Sequence, residues 1–194
     1  MTAQVYPMTL EQESIWLDDQ LSDGPSAYLE PWVLQLRGDV DRRAVHRAFA
    51  ALVARHDALR SRFVLAGEEP VQIVEPAPAD PPLPRMPCSP ETVDACLRAF
   101  MRRPLDLGSG AVRAVLLEPD PDTVLLAVQL HHVVVDDWAF HTLDQEFAEF
   151  YRAFVAGRPP ELAPAPPQPG PFALAQRSAS SDPAALAYWR ETLR

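Results

Sequence analysis

The amino-acid sequence predicts an α/β fold, a sheet covered by helices. Three observations point to it. Segments with strand and helix periodicity alternate along the 194 residues. The run Thr123 to Leu130 is almost continuously apolar, as in a strand covered on both faces. A long amphipathic helix follows, roughly Ala139 to Val155. In it Phe140, Leu143, Phe147, Phe150, Tyr151 and Phe154 fall mostly three or four residues apart, a stripe suited to packing on a sheet.

The elements follow in order. Thr9 and Gln12 have capping-box spacing and open a first helix, with Leu10, Ile15, Trp16 and Leu17 on a helical period. Asp23-Gly24-Pro25 stops it. Trp32 to Leu36 reads as a strand ended by Gly38, and Asp41 caps a second helix. That helix has one apolar stripe: Ala44, Val45, Ala48, Phe49, Leu52 and Val53. Short strands are expected near Arg62–Leu65 and Val71–Val74. Ser89 and Pro90 are placed as N-cap and first residue of a third helix, which buries Val93, Cys96, Leu97, Phe100 and Met101. Pro104 ends it, a strand spans Ala111 to Leu117, and a last short helix covers Pro183 to Leu193.

Proline divides the chain. Of 22 prolines, seven fall in 76–90 and seven in 159–171, and both stretches should be extended surface connections.

Composition narrows the function. At 47% hydrophobic and 23% charged, the chain has a core and is not generally disordered. No apolar run approaches the roughly 20 residues of a membrane helix. Met1 to Pro7 lacks a secretion signal, so a cytoplasmic chain with two reduced thiols, Cys88 and Cys96, is expected. A net charge of −10 argues against a nucleic-acid partner. All 17 basic residues are Arg, which fits coding bias better than function.

One segment carries chemistry: His131-His132-Val133-Val134-Val135-Asp136-Asp137-Trp138. Neighbouring side chains on a strand point to opposite faces, so His131 and His132 cannot serve one cavity. One should face a cleft and the other be fixed in the structure. A neutral imidazole suits general-base work near neutral pH. The Asp136 carboxylate either holds the turn at the start of the next helix or pairs with an arginine elsewhere. A pair of core histidines with an N-cap Asp is the purely structural alternative. His131, His132 and His141 lack metal-ligand spacing, so no metal is expected. His46 and His141 read as surface residues and His56 as packing. Asp18-Asp19 and Glu146 with Glu149 read as solvated helix faces.

This segment resembles the His-His-x-x-x-Asp-Gly signature of the condensation domains of nonribosomal peptide synthetases. Their superfamily is shared with chloramphenicol acetyltransferase and with carnitine- and CoA-dependent acyltransferases. Thr9 to Leu17 resembles the first condensation-domain motif, matching at Gln12 and Trp16. Arg55-His56-Asp57-Ala58-Leu59-Arg60-Ser61-Arg62-Phe63 resembles the second. Arg103 to Leu107 resembles the approach to the signature, and Tyr188-Trp189-Arg190 the end of the N-terminal lobe. Two positions depart: Asp137 stands where the family has Gly, and Ala139 where it usually has Ser.

The resemblance implies that residues 1–194 form the N-terminal lobe of a two-lobed acyltransferase, a chloramphenicol acetyltransferase-like lobe with a mixed sheet flanked by helices, and that the C-terminal lobe is absent. It implies amide formation between a donor acyl or peptidyl thioester and an acceptor aminoacyl thioester, both on phosphopantetheine arms of carrier proteins. No cofactor is then bound by this chain. His132 would face the channel as base or orienting group. His131 would hold the loop. Asp136 would pair with Arg60, or failing that Arg62, and Asp137 and Trp138 would line the site. Two other readings stand beside it. One is a free-standing CoA-dependent acetyltransferase, disfavoured because 56 residues follow Trp138. The other is a non-catalytic module that docks a carrier protein or tailoring enzyme.

Overall fold

The computed structural model describes residues 2–22, 24–180 and 183–194. Asp23, first residue of the expected helix stop, lies outside them. The elements are β1 (Gln4–Pro7), α1 (Leu10–Leu21), β2 (Leu29–Arg37), α2 (Arg42–Arg55), β3 (Ser61–Ala66), β4 (Glu69–Val74), β5 (Arg85–Pro87), α3 (Val93–Met101), β6 (Val112–Asp120), β7 (Thr123–His131), α4 (Asp137–Val155), α5 (Pro169–Ser180) and α6 (Pro183–Thr192).

Helices flank the expected mixed sheet, whose strand order is β2-β7-β6-β5. β2, β7 and β6 pair antiparallel, and β5 joins β6 in parallel. β7 lies inside this sheet, which explains its apolar run: Val124, Leu126, Ala127, Val128 and Leu130 are all buried. On one face Leu126, Val128 and Leu130 meet Phe49 and Leu52 of α2 and Leu143, Phe147 and Phe150 of α4. On the other, Ala127 meets Phe100 and the partly buried Cys96 and Leu97 of α3. The aromatic stripe of α4 is therefore core, with Phe147 edge-on to Trp32 at 6.0 Å.

The strands near residues 62–65 and 71–74 form a second sheet with β1, antiparallel and ordered β1-β4-β3. Four residues have no local signal strong enough to announce β1; its partner β4 creates it. The separation of the two sheets is likewise invisible in local patterns.

Two helix boundaries differ from expectation. α3 starts at Val93, because the Ser89 carbonyl accepts from the amides of Thr92 and Val93 in a turn through Pro90. α5 is not expected at all, since Pro169-Gly170-Pro171 reads as loop. Prolines cost little in a first turn, where their missing N–H groups have no intrahelical acceptor. Gly170 also lets α5 approach β1: a Cβ there would sit 2.5 Å from the Tyr6 ring.

The second proline stretch is tied down by acids whose spacing reads as solvated. Glu146 is buried between α2 and α4. It accepts from Arg55 Nε at 3.0 Å to each oxygen, and its Oε2 lies 2.6 Å from His56 Nε2. Arg55 continues to the carbonyls of Ala163 and Pro164. Glu149 accepts from Arg158 at 2.7 Å and from the Glu161 amide at 2.8 Å. The Arg158 hydrogen bond, then that amide, lower its carboxyl to about 2. Among the described residues, α6 buries no side chain and exposes Leu186, Tyr188 and Trp189, and Leu193 just after it is exposed too.

Candidate functional site

β7 ends at His131, and a three-residue turn leads to the N-terminus of α4. The two histidines differ in burial, with His131 the last residue of the strand and His132 the first of the turn. His131 is fully buried and His132 half-buried.

His131 is bonded on both ring nitrogens. Nδ1 accepts from the Val133 amide at 3.2 Å, which places the proton on Nε2. Nε2 lies 3.3 Å from Ser26 Oγ and 3.6 Å from the Asp19 carboxylate. The ring stands 5.8 Å from that of Tyr28. Burial pushes the His131 pKa down, and the Asp19 charge opposes this. His131 is therefore a neutral strut at neutral pH.

The turn's backbone groups are held from three sides. The His132 amide donates to the Tyr28 carbonyl at 2.8 Å, and the Val134 amide to the His131 carbonyl at 3.0 Å. The Val133 carbonyl accepts from Gln12 Nε2 at 3.3 Å. Gln12 in turn receives the Thr9 amide and Gln72 Nε2, so the capping box of α1 reaches the His-His turn. Val133 is buried with Met8, Trp16, Phe63 and Leu107. These bonds satisfy backbone that would otherwise be costly to bury.

His132 differs from its neighbour. Its Nδ1 is buried and has no hydrogen-bond partner among the described residues. A buried N–H with no acceptor costs more than an idle lone pair, so the neutral ring carries its proton on Nε2.

The expected pair between Asp136 and Arg60 is not formed, which corrects the reading from resemblance. Asp136 is exposed and caps α4, its Oδ1 accepting from the Ala139 amide at 2.8 Å. Arg60 donates to the Asp57 carboxylate and the Glu75 carbonyl, and Arg62 to Glu75 at 2.8 Å. Of the two uses open to Asp136, holding the turn is the observed one. Replacing it with alanine should cost about 1 kcal/mol, the usual loss for an N-cap, rather than the larger loss of a buried ion pair. Urea denaturation of Asp136→Ala checks this, a loss above about 3 kcal/mol restoring the buried pair.

Asp137 is the first residue of α4 and is exposed, where a negative charge favours the helix N-terminus. Trp138 is 79% exposed. Neither of two large clefts, of about 680 Å³ and 650 Å³, includes His132, Asp137 or Trp138. The first lies between α1 and β3, and the second under the proline stretch at 76–84, with Arg60 and Arg62 in its wall.

The sequence reading missed Ser26, Tyr28 and Asp19 as supports of the turn. The β2–β7 pairing, Leu29 opposite His131, brings Ser26 and Tyr28 there, and Asp19 arrives on the last turn of α1, whose Asp18 accepts from the Tyr28 hydroxyl. Among the described residues no group of three or more His, Cys, Asp or Glu is placed to hold a metal ion. No helix there is long and apolar enough to cross a membrane.

Residues 2–194 match the family model described as a condensation domain. Chondramide synthase cmdD of Chondromyces crocatus is 33% identical over 201 residues, covering 98% of this chain and 5% of that protein. Enniatin synthase of Fusarium equiseti is 30% identical over 197 residues, covering 94% of this chain and 6% of that protein. The chain therefore spans only a small part of these relatives. Among solved structures, the starter condensation domain of rhizomide synthetase RzmA superposes with a TM-score of 0.83 at 19% identity, covering 97% of this chain and 48% of that one. The X-domain of teicoplanin biosynthesis, solved with OxyB, gives 0.79 at 27% identity, covering 88% and 37%.

Proposed function

This chain belongs to the condensation-domain family, matched over residues 2–194, and from that premise we propose that it is the N-terminal lobe of a peptide-bond-forming acyltransferase. The substrates are a donor acyl or peptidyl thioester and an acceptor aminoacyl thioester, each on the phosphopantetheine arm of a carrier protein. The amine of the acceptor attacks the donor thioester carbonyl. The C–N bond forms, the C–S bond breaks, and the thiol of the donor arm leaves with a proton. Residues 1–194 supply one wall, and the C-terminal lobe supplies the other. The arms belong to the carriers, so the chain needs no cofactor of its own. The setting is a cytoplasmic synthetase of secondary metabolites.

The observation that carries this reading is the geometry of His132. Its ring is half-buried on a turn held by Gln12, Tyr28 and His131, and its Nδ1 has no hydrogen-bond partner among the described residues. That suits a site completed by a second body. With its proton on Nε2, His132 donates to the reacting groups: it orients them and stabilises the oxyanion of the tetrahedral intermediate. Confining two tethered substrates is worth roughly 7–11 kcal/mol of the barrier.

The test uses the two-lobed enzyme with donor and acceptor carriers loaded. Mass spectrometry should find the amide on the acceptor carrier. Carrier binding without any amide would favour a second reading, a docking module. Two observations support that alternative: Asp137 replaces the Gly of the family signature, and the likeness to the X-domain, solved with OxyB, reaches 27% identity.

A further inference from the structure

We propose that Asp19, on the last turn of α1, is a positioning residue for His132, acting through the buried ring of His131. This rests on the function proposed above and adds a residue to it. The last turn of α1 delivers two carboxylates to the back of the site. Asp18 accepts from the Tyr28 hydroxyl at 2.8 Å, and Asp19 lies 3.6 Å from His131 Nε2. The side chain of Asp19 is only 12% exposed, so its field at the ring is weakly screened. Ser26 lies between them: its Oγ is 3.3 Å from His131 Nε2 and accepts from the Tyr28 amide at 3.2 Å.

The chain of causes has four links. A carboxylate beside Nε2 favours the proton on that nitrogen. Nδ1 then keeps a lone pair, which receives the Val133 amide. That bond closes the turn directly behind His132. The Tyr28 carbonyl, placed by Ser26 and by the bond to Asp18, takes the His132 amide from the other side. In the opposite tautomer, a proton on Nδ1 would face the N–H of Val133. Two donors would meet and the turn would open. Nothing in the described structure holds the inner nitrogen of the His132 ring. The direction of that ring therefore depends on its backbone, and its backbone depends on the His131 tautomer. This parallels metal sites, where a carboxylate behind a histidine sets tautomer and orientation and its loss costs about tenfold to hundredfold.

The experiment has two arms. In the 194-residue chain, ¹⁵N NMR of the imidazoles reads the tautomer of His131 and the ring environment of His132 with no need for turnover. Asp19→Asn and Ser26→Ala should each raise the Nδ1–H population of His131 and shift the His132 ring signals, and Asp19→Glu should restore part of the wild-type pattern. Asp41→Ala, which removes the distant cap of α2, serves as a destabilised comparison and should leave both rings unmoved. In the two-lobed enzyme, Asp19→Asn should lower kcat by about tenfold to hundredfold, with KM for the carriers unchanged. Wild-type tautomer and ring signals in both Asp19→Asn and Ser26→Ala would overturn the proposal. So would equal ring shifts in Asp41→Ala. Absence of condensation by the wild-type enzyme would strike the function, while the NMR arm would still decide the positioning.

Discussion

Glu146→Ala should destabilise the chain by about 3–5 kcal/mol, the largest single-residue loss expected outside the apolar core. The carboxylate is buried between α2 and α4 and joins two partners there, Arg55 and His56, whose side chains are 16% and 13% exposed. Alanine leaves a guanidinium facing a cavity, and an uncompensated buried charge costs far more than an exposed pair gains. The damage should spread to the proline stretch, because Arg55 also holds the carbonyls of Ala163 and Pro164. Gln168 closes the same corner, accepting from the Asp57 amide at 2.8 Å. Urea denaturation measures the loss, and limited proteolysis should show faster cleavage within residues 159–168. Glu146→Gln keeps two polar atoms in place and should fall between alanine and wild type. A loss under about 1 kcal/mol for alanine would mean that the cluster contributes no more than a surface pair.

The same cluster shows where a linear reading stops. On α4, Glu146 and Glu149 lie between the aromatic positions, where a helical period puts solvent. The period marks which side chains face the sheet; it says nothing of what later chain will cover the other side. Residues 159–168 return over that face and convert two surface acids into anchors. Asp19 is the parallel case on α1, covered once the β2–β7 pairing brings residues 26–28 beside the His-His turn. The elements themselves were legible because their signals are local. The α2 stripe, the Asp41 cap, the Thr9–Gln12 box and the apolar run of β7 each need only a few consecutive residues. β1 and α5 were not, since one depends on a distant strand and the other begins with prolines that pattern reading assigns to loops.

Resemblance and geometry also divide the site between them. Resemblance singled out the turn and distinguished His132 from His131; the structure finds the first of these two rings half-buried and the second fully buried. It also supplied an Asp136–Arg60 pair that this chain does not make. Arg60 is taken by Asp57 and the Glu75 carbonyl, and Asp136 is occupied by the first turn of α4. A residue kept at a family position can thus carry a different load. Here the carboxylate shapes the turn by capping rather than by ion pairing.

His132→Ala in the two-lobed enzyme should lower amide formation by about 10²–10³, the usual loss when one donor to a developing oxyanion is removed. The fold should survive, because the side chain makes no hydrogen bond among the described residues and the turn is held through the backbone of residue 132 and its neighbours. Single-turnover rates with both carriers loaded isolate the chemical step, and a thermal scan confirms the fold. His132→Gln separates the two roles open to the ring. Glutamine keeps an N–H donor of similar reach and has no basic nitrogen. If His132 orients and donates, as its unpartnered Nδ1 implies, glutamine should recover part of what alanine loses. If the ring takes a proton from the amine, glutamine should be as slow as alanine. Unchanged turnover in His132→Ala would remove the residue from the chemistry. The docking reading, which asks nothing of this imidazole, would then be the stronger account of the chain.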